Sequence, residues 1–279
     1  MTEESEADSG GPSITARRVA AYRLGFTRVS APYGDAAADE ALAADVAVGQ
    51  EPGAGRMRDY LDARTRFFDR VVVGAIGRGV RQIVLGAAGY DGRALRYARS
   101  GVRWFEVDHP ATQRDKRERL DRLGIAARQV RFVEADFIRD PVAERLTAAG
   151  LDPAKPSLFL LEGVAVYLEP DVLERVLAQF RQVARAGSRL AISVSSGARG
   201  EARSRFQATV AALGEPARSA LEADAATELL ARTGWQVMAT DGADEPDAAA
   251  PRDRLRSAGL LTASTAPATA APASYPDGS

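Results

Sequence analysis

The sequence predicts an α/β fold: a doubly wound, mostly parallel sheet of six or seven strands, Rossmann-like, with a helical extension on its N-terminal side. Three observations predict it. Short apolar runs alternate with amphipathic helical stretches from residue 80 to 240, as βαβ units require. A glycine-punctuated turn, GAAGYDG over residues 86–92, follows the first of those runs. An acidic pair, Glu106 and Asp108, closes the second run about 20 residues past the first glycine, the length of one crossover.

Composition narrows the chemistry. At 279 residues the chain can bury a full core, and 37 basic against 38 acidic side chains give a net charge of −1. No global electrostatic drive toward nucleic acid or a membrane surface follows from that balance. The chain has no cysteine and one histidine, which excludes thiol nucleophiles, disulfides and a histidine metal cluster. It has no apolar run long enough to span a bilayer, and its N-terminal stretch MTEESEADSGG is unlike a secretory signal. The expectation is a soluble cytoplasmic protein that acts on a small molecule, with oligomeric state open.

Each element has a local reason. Residues 1–12 are acidic and polar, with little to bury, and are expected to be disordered. A single domain is expected over residues 13–265, with residues 13–76 as a helical cap and 80–240 as the core. Residues 13–28 and the alanine-rich 36–48 read as helices. Residues 57–76 give the clearest helix, since Met57, Tyr60, Leu61, Phe67, Phe68, Val71, Val72 and Ala75 recur at helical spacing. Arg64 falls on that apolar face, four residues from both Tyr60 and Phe68. It is either half of a structural ion pair or a cation aimed at a ligand carboxylate.

Residues 82–85 read as a buried parallel strand, 93–99 as a helix and 102–107 as the second strand. Residues 111–123 form a strongly charged helix whose charges are expected to face solvent. Strands follow at 129–135, 157–161, 189–194 and 235–240, with a short seventh at 260–264. Helices are expected at 141–149, 171–186 and 221–233. Residues 195–220 are polar and are expected to form a lid or insert. The tail from 266 is rich in proline and alanine and is expected to be disordered.

In such a sheet, ligands bind where the strands end. Glycines let backbone approach a ligand closely, and a carboxylate at a strand tip can accept both hydroxyls of a ribose. The tips carry Glu106 and Asp108, Asp136, and Glu162. Acidic tips repel phosphates and suit a ligand with hydroxyls, amino groups and a positive centre. That favours S-adenosylmethionine, with Arg64 on its carboxylate, over a nicotinamide dinucleotide or ATP. Tyr90 and Tyr167 lie near the expected cleft, where they contact substrate or simply pack. His109 sits between Asp108 and Pro110, where a turn role outweighs a role as base.

Five segments together carry a family resemblance: ARTRFFD (63–69), GAAGYDGRAL (86–95), FEVDHPATQRDKRERL (105–120), FVEADF (132–137) and LLEGVAVYL (160–168). The chain resembles the S-adenosylmethionine-dependent methyltransferases of the leucine carboxyl methyltransferase type, especially the bacterial branch found in actinomycetes. The resemblance implies an enzyme of secondary metabolism that methylates a small-molecule carboxylate. It implies that Arg64 binds the cofactor carboxylate, that Gly86 and Gly89 pass under its methionine portion, and that Asp108 takes the ribose hydroxyls. It further implies that Asp136 and Phe137 bracket the adenine and that Glu162 faces the cofactor amino group or the substrate mouth. Arg17 matches a basic N-terminal position near substrate. Ala87 stands where the family usually has glycine. Two alternatives stay open: a degenerate, non-catalytic cofactor-binding protein, and a nicotinamide-type oxidoreductase.

Overall fold

The computed structural model describes residues 11–194, 216–219, 221–238 and 259–265, with scattered positions from 204 to 211. Most of the expected lid at 195–220, the first ten residues and the tail from 266 lie outside the described residues.

The sheet contains β1 (Gln82–Gly86), β2 (Arg103–Asp108), β3 (Val130–Glu134), β4 (Leu158–Leu161), β5 (Arg189–Ser193), β6 (Trp235–Val237) and β7 (Leu260–Thr265). Their order across the sheet is β3-β2-β1-β4-β5-β7-β6. The first five run parallel, and β7 enters antiparallel between β5 and β6. The chain therefore reverses its winding direction between β1 and β4, which opens a crevice at their carboxyl ends.

Helices α1 (Ile14–Arg23), α2 (Ala36–Ala47) and α3 (Arg56–Gly77) precede the sheet. Helices α4 (Arg93–Arg96), α5 (Pro110–Arg122), α6 (Val142–Ala148) and α7 (Pro170–Gln182) form the crossovers, and α8 (Ala223–Arg232) precedes β6. Strand alternation divides the core into two layers. Val84, Phe159 and Leu161 face α7, whose Leu173, Val176, Leu177 and Phe180 fill that layer. Ile83, Leu85, Leu158 and Leu160 face the other way, onto Phe67, Phe68, Val72 and Ile76 of α3. The apolar stripe that predicts α3 is thus the stripe that it buries. Among the described residues, no helix is long and apolar enough to cross a membrane.

Several elements are shorter than their sequence patterns suggest; α7, for one, ends at Gln182 rather than at 186. α1 ends at Arg23, five residues early, because the chain must leave it for Arg28 to reach Asp69 on α3, Nε to Oδ2 2.7 Å. α4 keeps only Arg93–Arg96, since Tyr97 turns inward to donate its hydroxyl to the Val29 carbonyl at 2.9 Å. β6 spans Trp235–Val237, and residues 239 and 240 of the expected strand lie outside the described residues.

Gly86 closes β1 against the α7 layer of the core. A Cβ there would lie 2.6 Å from Leu161 Cδ2, 3.1 Å from Phe180 Cζ and 3.3 Å from Phe137 Cζ. We expect Gly86→Ala to lower unfolding free energy by about 1–3 kcal/mol through overpacking, measured by urea denaturation. An unchanged midpoint would mean that the α7 side chains yield freely.

Candidate functional site

The crevice begins at the turn after β1. Ala87 adopts φ 52° and Gly89 φ 50°. Among the described residues, Ala87 is the one non-glycine residue with positive φ, a conformation that costs an L-residue roughly 1–2 kcal/mol. The turn is strapped to the end of β2. Ala88 donates its N–H to the Val107 carbonyl at 3.2 Å, and Gly89 donates its N–H to the Asp108 carboxylate. The other Asp108 oxygen accepts the His109 N–H at 2.6 Å. Burial raises the Asp108 carboxyl above its ordinary range, and these two N–H groups with nearby Lys116 offset only part of that. Among the described residues no cation pairs with Asp108, so each of its oxygens keeps acceptor capacity for a hydroxyl. His109 Nδ1 accepts the Ala111 N–H at 3.3 Å and caps α5, the turn role expected of it.

At the tip of β4 the electrostatics are the opposite: dense and paired. Glu162 accepts from Arg64 Nε at 3.0 Å, from Arg93 Nη1 at 2.5 Å, and lies 3.0 Å from Arg23 Nη2. Burial alone would raise its carboxyl; Arg93, Arg23 and Arg64 together hold it far below the carboxylate range. Arg64 is 7% exposed, sits against the Tyr60 ring at 5.7 Å and packs on Gly163, where a Cβ would come within 3.0 Å of its Nη1. Burial opposes its charge, and Glu162, Tyr60 and Tyr167 raise its pKa above the ordinary value. Arg64 is thus half of an ion pair and also stands at the strand tip. Tyr167, partly buried in the short turn Ala165–Tyr167, completes that side of the crevice.

Behind Glu162 stands Arg93, fully buried. It donates to Asp69 Oδ1 at 2.7 Å, Asp91 Oδ2 at 2.5 Å, Glu162 Oε2 at 2.5 Å and the Thr65 carbonyl at 3.0 Å. Asp69 also binds Arg28, which in turn reaches Asp39 on α2 at 3.0 Å. The chain of charges runs from the β4 tip through the glycine turn to all three N-terminal helices. Its members Arg23, Asp69, Asp91 and Arg93 escape the sequence pattern. Asp69 gives the one available signal: a carboxylate among Thr65, Phe68, Val72 and Ile76, on a face that otherwise buries apolar groups. Arg23 matters separately, because its Nε is buried and meets no acceptor among the described residues.

Two expected substrate contacts are placed elsewhere. Tyr90 is 3% exposed and donates its hydroxyl to Asp115 on α5, and burial with that carboxylate pushes its pKa up to about 12. Arg17 reaches the same carboxylate, Nη2 to Oδ1 3.5 Å. Both pin α1 and the turn to α5, a packing role that leaves Tyr90 closed to substrate. Asp136 is partly engaged as well: its Oδ1 accepts the Ile138 N–H at 2.9 Å, and Arg139 lies 3.8 Å from Oδ2. Phe137 stands beside it against the α7 layer and close to Gly86. Glu106, read as a tip residue, is inside the protein, neutralised by Lys116 at 2.6 Å.

Comparison with known proteins bears on the family and the fold. The leucine carboxyl methyltransferase family profile matches residues 19–181. A protein from Mycolicibacterium paratuberculosis, assigned as an S-adenosyl-L-methionine-dependent methyltransferase, is 38% identical over 199 residues, 67% of this chain. The chain spans 62% of that relative's length. Two crystal structures share the fold over 93% of this chain: a protein from Thermobifida fusca assigned as a methyltransferase (TM-score 0.57, 20% identity, 97% of that chain) and a DUF574 family protein from Streptomyces avermitilis (TM-score 0.58, 19% identity, 99% of that chain).

The ion network makes an acid prediction. Burial would raise Asp69, but Arg93 and Arg28 lower its carboxyl to about 2 from 3.8. Its contribution is therefore complete above the unfolded value and lost as pH falls through the folded one. Between pH 5 and pH 2 the stability difference between wild type and Asp69→Asn should shrink by about 2 kcal/mol in urea titrations. A difference independent of pH would mean that Asp69 is not held ionised by its arginines.

Proposed function

The chain belongs to the leucine carboxyl methyltransferase family, and from that membership we propose that it is an S-adenosyl-L-methionine-dependent O-methyltransferase whose acceptor is a carboxylate of a small molecule. The observation that carries the reading is the contrast between the two strand tips. Asp108 ends β2 as a half-buried carboxylate that pairs with no cation among the described residues and has a backbone N–H from Gly89 on it. Arg64 and Glu162 end β4 side as a pair of opposite charges 3.0 Å apart.

The residues present fit the cofactor. A diol needs acceptors, and Asp108 offers them. An amino-acid zwitterion needs one charge of each sign, side by side, and Arg64 with Glu162 offers both. Arg23, whose Nη2 lies 3.0 Å from Glu162 and whose Nε meets no acceptor among the described residues, adds a cation at the same tip. Phe137 and Asp136 supply a flat apolar surface and a polar edge beyond β3 for the adenine. The positive φ at Ala87 keeps the glycine-type turn without the glycine, so the substitution does not by itself argue for a degenerate site. Family membership leaves the oxidoreductase alternative without a supporting observation.

When bound, S-adenosyl-L-methionine supplies a methyl group activated on a positively charged sulfur. The protein's part is to bind, orient and exclude water, which supplies most of the acceleration for such a transfer. Arg64 and Arg23 orient the anionic end, Glu162 the ammonium, and Asp108 the ribose. Among the described residues, no side chain at the crevice is free to act as a general base. Glu162 and Asp91 are held ionised by arginines, against the cost of burial, and so are poor proton acceptors near neutral pH. His109 is committed to its cap. A carboxylate acceptor needs no base, because it is ionised at neutral pH; this favours it over a phenol or an amine. Tyr60 and Tyr167 flank Arg64 and are the side chains we assign to the acceptor mouth.

Two measurements test the reading. Calorimetric titration with S-adenosylhomocysteine should give binding to the wild type. Asp108→Asn and Arg64→Ala should each weaken it by roughly 10–100-fold, the loss of a charged hydrogen-bond partner. No binding to wild type would sink the cofactor assignment. For the acceptor, turnover on a panel of carboxylic acids should be flat with pH from about 6 to 8, well above an ordinary carboxyl pKa. Activity confined to phenols, rising with pH, would replace the carboxylate.

A further inference from the structure

The charged helix α5 hides a polar face. Its buried residues are Thr112, Gln113, Lys116 and Leu120, at helical spacing. Three of these four are polar, and each holds backbone near the crevice rather than packing against apolar groups. Thr112 Oγ1 accepts the Ser13 N–H at 3.3 Å, at the start of α1. Gln113 Nε2 donates to the Glu106 carbonyl at 2.5 Å and to the Val133 carbonyl at 3.0 Å, bridging β2 and β3. Lys116 is the most unusual. At 2% exposure its ammonium donates to the Asp91 carbonyl at 2.7 Å and to Glu106 Oε2 at 2.6 Å.

A lysine this deep needs a reason, because burying an ammonium with one carboxylate seldom stabilises more than an apolar pair of the same size. Its two acceptors supply that reason. Asp91 lies two residues past Gly89 in the turn after β1. Glu106 lies two residues before Asp108, on the same face of β2. Each partner of the contact between the Gly89 N–H and the Asp108 carboxylate thus lies two residues from one of those anchors. Asp91 is gripped from its side chain as well, by Arg93 and Arg23, so the far end of the turn is fixed on both sides.

We propose that Lys116 is a positioning residue for the ribose subsite: by bridging the Asp91 carbonyl and Glu106, it holds the glycine turn in register with the tip of β2, so that Gly89 and Asp108 meet. This rests on the cofactor reading given above for what Asp108 binds. The structural alternative is that Lys116 only neutralises Glu106. The two differ in what a neutral replacement of the pair restores. Methionine in place of Lys116 matches its length and cannot donate to the Asp91 carbonyl.

The test uses three proteins: wild type, Lys116→Met, and the double variant Glu106→Gln/Lys116→Met. The single variant leaves Glu106 buried and unpaired, and we expect it to lose stability. The double variant removes both charges and should recover most of that stability. Its affinity for S-adenosylhomocysteine by calorimetry should nonetheless remain weaker than wild type by about tenfold or more, in line with the sensitivity of bound geometry to small misplacements. Its KM for S-adenosylmethionine should rise while kcat holds. In hydrogen exchange without ligand, the Gly89 amide should exchange at least about tenfold faster in the double variant, while the β4 amides stay protected. Recovery of both affinity and Gly89 protection along with stability would overturn the proposal. If the wild type itself binds no S-adenosylhomocysteine, the cofactor reading fails, and the Gly89 amide alone still decides whether Lys116 holds the turn.

Discussion

One buried guanidinium, that of Arg93, is the constraint on which the arrangement depends. It has no exposure and satisfies three carboxylates and a carbonyl at once: Asp69 of α3, Asp91 of the glycine turn, Glu162 of the β4 tip, and the Thr65 carbonyl. An arginine can do this because its donors are fixed in one plane and remain charged at any working pH. None of the three carboxylates lies on the same element. Removing Arg93 would leave three carboxylates each short of a partner, with Arg28, Arg23 and Arg64 as their remaining cations, a loss that costs more than the network contributes in place. The network is weak evidence for high stability, since an apolar filling of the same volume would serve stability as well. What it does is fix three segments relative to one another to within hydrogen-bond tolerance.

That fixing divides the crevice into two electrostatic regimes. At the β4 tip, Glu162 is surrounded by Arg23, Arg64 and Arg93, and the charges are arranged before any ligand arrives. Preset charges need no reorganisation when a charged group docks against them, so their effect is not diluted as it would be by water. At the β2 tip, Asp108 stands without a cation, its carboxyl raised chiefly by burial and held by backbone N–H groups. A charge-rich end and a charge-poor end some distance apart suit a ligand that is zwitterionic at one end and hydroxylated in the middle. The α5 face, through Lys116 and Gln113, supports the second regime as the arginines support the first.

Much of the sheet was legible because a buried parallel strand has a simple signature. QIVL, WFEV and LFLL stand out as apolar runs, and the glycines between them mark the crossover. The tip residues Asp108 and Glu162 followed from the same logic, since a charge that ends an apolar run must face the edge. The network was not legible, because a buried ion pair leaves no periodic trace. Arg93 looks like any arginine at a helix start, and Lys116 is hidden among the charges of DKRERLDR. The choice left open for Tyr90, substrate contact or packing, was not legible for a related reason. Nearness in sequence to the glycine turn says nothing about which way its ring points, and Asp115, 25 residues on, decided it. The position of β7 between β5 and β6 was equally beyond a local pattern, since strand order is set by the pairing of distant segments.

Ala87 shows how these supports act together. A non-glycine residue at φ 52° survives only where its surroundings over-determine it. Here they do, from both sides of the strained residue. β1 ends at Gly86, wedged against Leu161 and Phe180 with no room to shift. After Ala87, the Ala88 N–H is bound to Val107, the Gly89 N–H to Asp108, and the Asp91 carbonyl to Lys116. With the entry and the exit of the turn both fixed, the intervening residue has one path open to it, whatever its side chain. A glycine would follow that path without strain, but the path itself is imposed by the neighbours. The shape of the turn is therefore a property of its frame, and it persists when the residue that usually eases it is replaced.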